Sequence, residues 1–104
     1  MKSTDHLTAM GDTELVRNII VMHPNDGYDL GLIAMDTAMK LFVGATEQDF
    51  LSGKGPHTTV SVRLKNDCAI STMRMNQKWW AEIGRPRRVR LACDQNKILL
   101  QPGT

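Results

Sequence analysis

Thr59-Val60-Ser61-Val62-Arg63-Leu64, Cys68-Ala69-Ile70-Ser71-Thr72-Met73-Arg74, Arg87-Arg88-Val89-Arg90-Leu91-Ala92-Cys93 and Ile98-Leu99-Leu100-Gln101 are the stretches on which a reading of the fold turns. The first places Val60, Val62 and Leu64 on one face and Thr59, Ser61 and Arg63 on the other, the two-residue period of a half-buried strand. Lys65-Asn66-Asp67 reads as a turn, which makes Cys68 to Arg74 the returning strand. Between the two strand pairs, Asn76 is placed to cap a helix over Gln77 to Ile83, with Gly84 as its stop and Pro86 just beyond. In the third stretch Val89, Leu91 and Cys93 alternate with Arg88 and Arg90. Asp94-Gln95-Asn96 then turns the chain into the last strand, ended by Pro102-Gly103. The expected order for residues 56–104 is therefore strand, strand, short helix, strand, strand, arranged as two hairpins around one helix.

Working back from Gly55, the chain changes character. Gly53-Lys54-Gly55-Pro56 is the natural boundary. Ahead of it, Thr46 caps a last helical turn. Asp29 is placed to cap a longer helix, because Leu30, Ile33, Ala34, Met35, Ala38, Leu41 and Phe42 form one apolar stripe that ends at Gly44. Pro24-Asn25-Asp26-Gly27 is a turn. Leu15, Val16, Ile19 and Ile20 have helical spacing, while Ile19-Ile20-Val21 suits a strand equally well, and local pattern does not separate the two. The expected architecture is α+β: a mainly helical segment, 1–55, followed by a ββαββ unit, 56–104.

Charge divides at nearly the same place. Residues 1–53 carry three basic and eight acidic side chains, a balance of −5, and residues 54–104 carry ten basic and three acidic ones, a balance of +7. Either the halves attract each other, or the basic half meets a polyanion. Arg63, Lys65, Arg74, Arg85, Arg87, Arg88 and Arg90 lie on or beside the expected hairpins, where outward side chains of paired strands reach one another and track a phosphate backbone. The string Gly84-Arg85-Pro86-Arg87-Arg88 favours nucleic acid by composition. It also contains Gly-Arg-Pro, the core of the minor-groove element called an AT-hook. Trp79 and Trp80 diverge by about 100° on a helix, so one is expected in the core with Ile83 and the other at a subunit interface or as a stacking surface for a base. Val89, Leu91, Ile98 and Leu100 complete the expected core or dimer interface.

Several classes find no support. There is no phosphate-cradling glycine loop and no nucleophile elbow. His6, His23 and His57 are scattered without metal-ligand spacing. Cys68 and His57 lack a third group to orient them. The chain is read as no enzyme, with no cofactor and no metal. No apolar run approaches the roughly 20 residues of a membrane span, and the polar Met1 to Asp12 stretch does not read as a signal peptide. Cys68 and Cys93 lack a Cys-x-x-Cys spacing and are expected reduced, in a cytoplasmic setting. A helix-turn-helix in the first half is disfavoured by Glu47 and Asp49 on its would-be recognition helix.

Val60-Ser61-Val62-Arg63-Leu64, Ala69-Ile70-Ser71, Trp79-Trp80-Ala81-Glu82-Ile83-Gly84, Val89-Arg90-Leu91 and Asn96-Lys97-Ile98-Leu99-Leu100-Gln101-Pro102 together resemble the swapped-hairpin DNA-binding fold of the SpoVT/AbrB transition-state regulators and related antitoxins. Lys78-Trp79-Trp80-Ala81-Glu82-Ile83-Gly84 is also similar to the Trp-containing helix of SymE-type toxins. The resemblance implies an intertwined homodimer in which two chains build one barrel-like core, with Arg63, Lys65 and Arg74 on DNA. The expected function is a small nucleic-acid-binding regulator, a transcription regulator or antitoxin-like protein, with a phage as a candidate source. The alternatives are a protein-interaction module or inhibitor acting through residues 1–55, and an RNA-directed toxin.

Overall fold

Alternating burial appears along almost every apolar stretch of the chain, in both halves. The computed structural model describes residues 1–103. Its elements are β1 (Lys2–Ser3), β2 (Leu7–Asp12), β3 (Ile19–Met22), α1 (Pro24–Asp29), β4 (Asp36–Val43), α2 (Glu47–Ser52), β5 (Thr58–Leu64), β6 (Thr72–Asn76), α3 (Gln77–Glu82), β7 (Arg88–Asp94) and β8 (Lys97–Pro102). The strands run β7-β2-β6-β3-β5-β4-β8, and β8 pairs back onto β7. Seven strands thus close into a barrel, while the short β1 extends the β2 side of β7. The β2–β7 seam that completes the ring is short, pairing Leu7 with Val89 and Thr8 with Arg88.

Inward positions fill the barrel: Leu7 and Ala9 from β2, Ile20 and Met22 from β3, Met39 and Leu41 from β4, Val60, Val62 and Leu64 from β5, and Met73 and Met75 from β6. Val89 and Leu91 from β7, Ile98 and Leu100 from β8, and Trp79 from α3 complete it. Each of the Val, Leu, Ile and Met side chains contributes about 1.5–3 kcal/mol by leaving water. A second cluster lies outside the wall. Phe42, Ala92 and Leu99 alternate with inward neighbours, and α2 covers them with Phe50, whose ring meets Phe42 edge-on at 5.6 Å. Lys97 ties α2 down by donating to the carbonyls of Phe50 (3.0 Å) and Leu51 (2.8 Å).

The barrel is built from two copies of one unit. Strand β2 runs parallel to β6, and β5 runs parallel to β3, while β3 and β6 are antiparallel at the centre. These registers make Thr8 the counterpart of Ser61 and Ile20 the counterpart of Met73, in each case 53 residues on. The same interval relates Asn18 to Ser71, both at positive φ (71° and 62°), and Gly31 to Gly84, both at positive φ (80° and 97°). It also relates His23 to Asn76, the N-caps of α1 and α3. Each unit is therefore strand, crossing loop, strand, short helix and strand, and each lends its first strand to the other's second. A pseudo-two-fold axis passes through the paired Val21 and Arg74. Past the glycines the interval falls to 50, with Met39 opposite Val60 as Val89 is opposite Leu7. Strand β8 has no counterpart and bridges β4 to β7.

This architecture overturns the expected α+β arrangement. Residues 1–55 are not mainly helical; they supply β1 to β4 and only two six-residue helices. The stripe from Leu30 to Phe42 has helical spacing, yet Gly31 at φ +80° ends α1, and Asp36–Val43 pairs along both edges with β5 and β8. Long-range pairing here outweighs local periodicity. Ile33, which a helix would have buried, is 86% exposed. The ambiguous Ile19–Met22 is a strand. In the second half, the element order is as expected, but β5 and β6 form no hairpin, because β3 lies between them. Residues 65–71 form a crossing loop plugged by buried Cys68. Strands from the two sides of residue 55 alternate around the ring except where β7 meets β8, and one chain closes the barrel that the resemblance implies from two.

Candidate polyanion-binding surface

The expected basic residues separate into two groups with different electrostatic surroundings. In the first, arginine meets carboxylate across the two halves. Arg63 Nε lies 3.3 Å from Asp36, at an angle that makes no hydrogen bond. Arg74, beside the pseudo-axis, sits 3.5 Å from Asp12 and 3.8 Å from Asp67. Lys65 stands at the rim of the same groove, exposed. Arg17 forms an ion pair with Glu82, which holds the Glu82 carboxyl below its ordinary range through its hydrogen bond and raises the guanidinium. Arg63–Asp36 and Arg74–Asp12 join the basic half to the acidic one, whereas Asp67 belongs to the same half as Arg74 and Arg17–Glu82 crosses with the charges reversed.

The second group is free of such partners. Among the described residues, no carboxylate lies within ion-pair distance of Arg85, Arg87, Arg88 or Arg90. All four are exposed. Arg88 and Arg90 point outward from β7, two residues and thus about 6.7 Å apart along the strand. Arg90 Nε donates to the Thr4 carbonyl at 3.2 Å, and Glu47 lines a small pocket with it, so the least neutralised part of the strip is Arg85 to Arg88.

Local structure fixes this strip. After α3, Gly84 takes φ +97° and Arg85 φ +50°. A left-handed residue with a full side chain costs about 1–2 kcal/mol, so the turn must be held from outside. The Arg85 N–H donates to the Trp80 carbonyl at 3.0 Å, and the Trp80 indole N–H donates to the Pro86 carbonyl at 2.9 Å. The Arg87 carbonyl accepts from Ala9 at 2.9 Å and the Arg88 carbonyl from Gly103 at 2.6 Å. Arginines held on a fixed backbone lose less freedom when they bind.

No protein-family model, curated protein or solved structure matches the chain. The remaining expected site residues are distributed as follows. Trp79, Val89, Leu91, Ile98 and Leu100 are in the barrel core, and Trp80 and Ile83 pack half-buried against it. Cys68 and Cys93 are buried free thiols. Burial raises the Cys68 thiol, with Arg74 opposing, and pushes Cys93 up to about 11 with Asp94 adding to the shift. Both are thus kept protonated and poorly nucleophilic at neutral pH. His57 packs on Phe42 at 5.0 Å between ring centres, whereas the Cys68 thiol lies against the Thr72 and Val21 carbonyls. Among the described residues, no three His, Cys, Asp or Glu side chains gather as a metal site. Among the described residues, no helix is long and apolar enough to cross a membrane.

One feature has no local signature in the sequence. At the α3 end of the barrel, a cavity of about 330 Å³ opens between Leu41, Val43, Trp79 and Ile83, with Arg17, Asn18 and His57 at its edge. The Arg17 guanidinium lies over the Trp79 ring at 5.6 Å. Residues 62 positions apart meet there because β2, β3 and α3 converge, and only the internal repeat would have announced it.

Proposed function

We propose that this protein binds nucleic acid through its phosphate backbone, using Arg85, Arg87 and Arg88, with Arg90 at the end of the strip, as a small regulator in a reducing cytoplasm. The observation that carries the reading is a fixed run of exposed guanidiniums without carboxylate partners among the described residues, in a chain whose other arginines at Arg17, Arg63 and Arg74 are paired. Guanidinium forks suit phosphate geometry, and the two free, buried thiols fit a reducing setting. Because the barrel closes within one chain, the reading needs no second copy to complete the surface.

The test is fluorescence anisotropy with labelled DNA and RNA at about 50 and 200 mM salt. Neutralising three to four phosphates predicts an affinity that falls over that interval by roughly 40- to 150-fold for duplex DNA and roughly 20- to 50-fold for a single strand. Absence of binding at the lower salt would falsify the proposal.

A second reading, a protein-interaction module acting through the first half, is favoured by a specific observation. Tyr28, Ile33 and Met35 are 57%, 86% and 57% exposed, around the connection that corresponds to the arginine turn. Partner capture abolished by Ile33→Asp, with no nucleic-acid binding at low salt, would support it over the first.

A further inference from the structure

The two ends of the barrel differ in a way that bears on which nucleic acid the strip receives. At the α1 end, the buried Asp26 accepts from the Ser71 N–H at 2.8 Å and closes the crossing loop. By the 53-residue correspondence, Trp79 stands where Asp26 stands and Asn18 where Ser71 stands. Among the described residues, no side chain accepts from the Asn18 N–H, and Asn18 lines the cavity of about 330 Å³ beside Trp79. Replacing a sealing carboxylate by an indole thus leaves an apolar slot with a backbone donor at its edge. Its size lies at the lower end of the 300–1,000 Å³ range of small-molecule sites, and a mostly apolar lining with a few polar groups is their usual character.

We propose that this slot receives one unstacked base of a single-stranded nucleic acid whose backbone lies along Arg85 to Arg88; the inference rests on the nucleic-acid reading above. Three observations converge on it. Leu41, Val43 and Ile83 give apolar walls, and the Trp79 and His57 rings lie at the lining. Arg17 closes one edge as a planar group held over Trp79, its charge balanced by Glu82. Ile83 on the lining is two residues from Arg85, so their Cα atoms are within about 7.6 Å by chain geometry alone, which puts the arginine turn next to one wall of the slot. A paired base is held in its stack and does not reach such a slot, whereas single strands present bases that are free to turn out.

The experiment compares three labelled ligands of about 12 nucleotides, within the usual range of single-strand site sizes: a mixed-sequence single strand, its duplex, and a single strand of abasic residues with the same phosphates. The wild-type chain is expected to bind the normal single strand roughly ten-fold tighter than either of the others. Val43→Phe and Thr58→Phe, both at exposed positions on the cavity lining, are expected to fill the slot. Each should reduce the normal strand to the abasic value and leave abasic binding unchanged, with thermal unfolding confirming that each variant is folded. Equal wild-type affinity for normal and abasic strands overturns the slot and leaves the phosphate strip standing. No binding of any of the three at low salt overturns the strip, and the slot with it.

Discussion

The halves beginning at Leu7 and Val60 fold alike and differ in what they place at matching points. In the first, Gly27 of α1 faces Leu64 of β5; in the second, Trp80 of α3 faces Gly11 of β2. These are the same two positions of the unit with large and small side chains exchanged, so each helix seats at a comparable depth by opposite means. The connections that follow differ in chemistry as well. Gly31-Leu32-Ile33-Ala34-Met35 exposes apolar side chains, whereas Gly84-Arg85-Pro86-Arg87 exposes charge. Packing constraints hold the shared skeleton, and the turns beyond it are where function diverges.

The exchanged pair yields the largest effects. Leu64→Ala empties a buried site and should cost about 2–5 kcal/mol. Gly27→Ala places a methyl against Leu64 and should cost about 1–3 kcal/mol. Combined, the two should cost less than their sum, because the shortened side chain makes room, with a coupling of about 0.5–3 kcal/mol. Strict additivity in denaturant unfolding would break the proposed equivalence. Gly11→Ala meets Trp80 Cε3 at 2.7 Å and the Gln77 backbone at 3.2 Å, so it should destabilise similarly.

The next effect is alkaline. Cys93 stands where the first half has Val43, by the registers of β7 and β4. Its native thiol is pushed up to about 11, from 9.0. The folded state therefore holds that proton more tightly; stability is intact below about pH 9 and falls as pH rises toward 11, by on the order of 2 kcal/mol. Cys93→Val should flatten the stability profile in that window. In the native protein neither buried thiol should react rapidly with a thiol reagent, and both should after unfolding.

The smallest effect is acidic. Glu82 is held below its ordinary range by Arg17, so its contribution is present above the unfolded value near 4.5 and is lost as pH falls through the lower folded value. Glu82→Gln should remove that small limb of the acid profile and leave the neutral-pH fold unchanged, as read by thermal unfolding.

Much of the second half was legible locally. The alternation in Thr58–Leu64 and Arg88–Asp94, the Asn76 cap and the Gly84 stop all appear where residue pattern places them. The Thr46 cap is formed too, with Asp49 N–H donating to its hydroxyl. What local pattern missed depends on partners far along the chain. Met39 and Leu41 read as helix because their strand neighbours, Val60 and Ile98, are not adjacent in sequence. Strand β3 enters between β5 and β6, which no reading of those two strands reveals. Aligning Asn18 through Gly31 with Ser71 through Gly84 would have exposed the duplication, although few residues in it are identical. Of the expected basic residues, only pairing across the halves distinguishes Arg63 and Arg74 from Arg85 to Arg88.

The central claim is that position in the fold, not overall charge, makes the arginine turn a phosphate-binding surface. It is tested most directly by two triple variants that remove the same charge from different places: Arg85→Gln, Arg87→Gln and Arg88→Gln in one, and the exposed Lys2→Gln, Lys40→Gln and Lys54→Gln in the other. The arginine variant should lose at least about ten-fold in affinity at low salt, with the slope of log affinity against log salt shallower by about 2–3. The lysine variant should stay within about two-fold of wild type. Equal losses in the two would contradict the account.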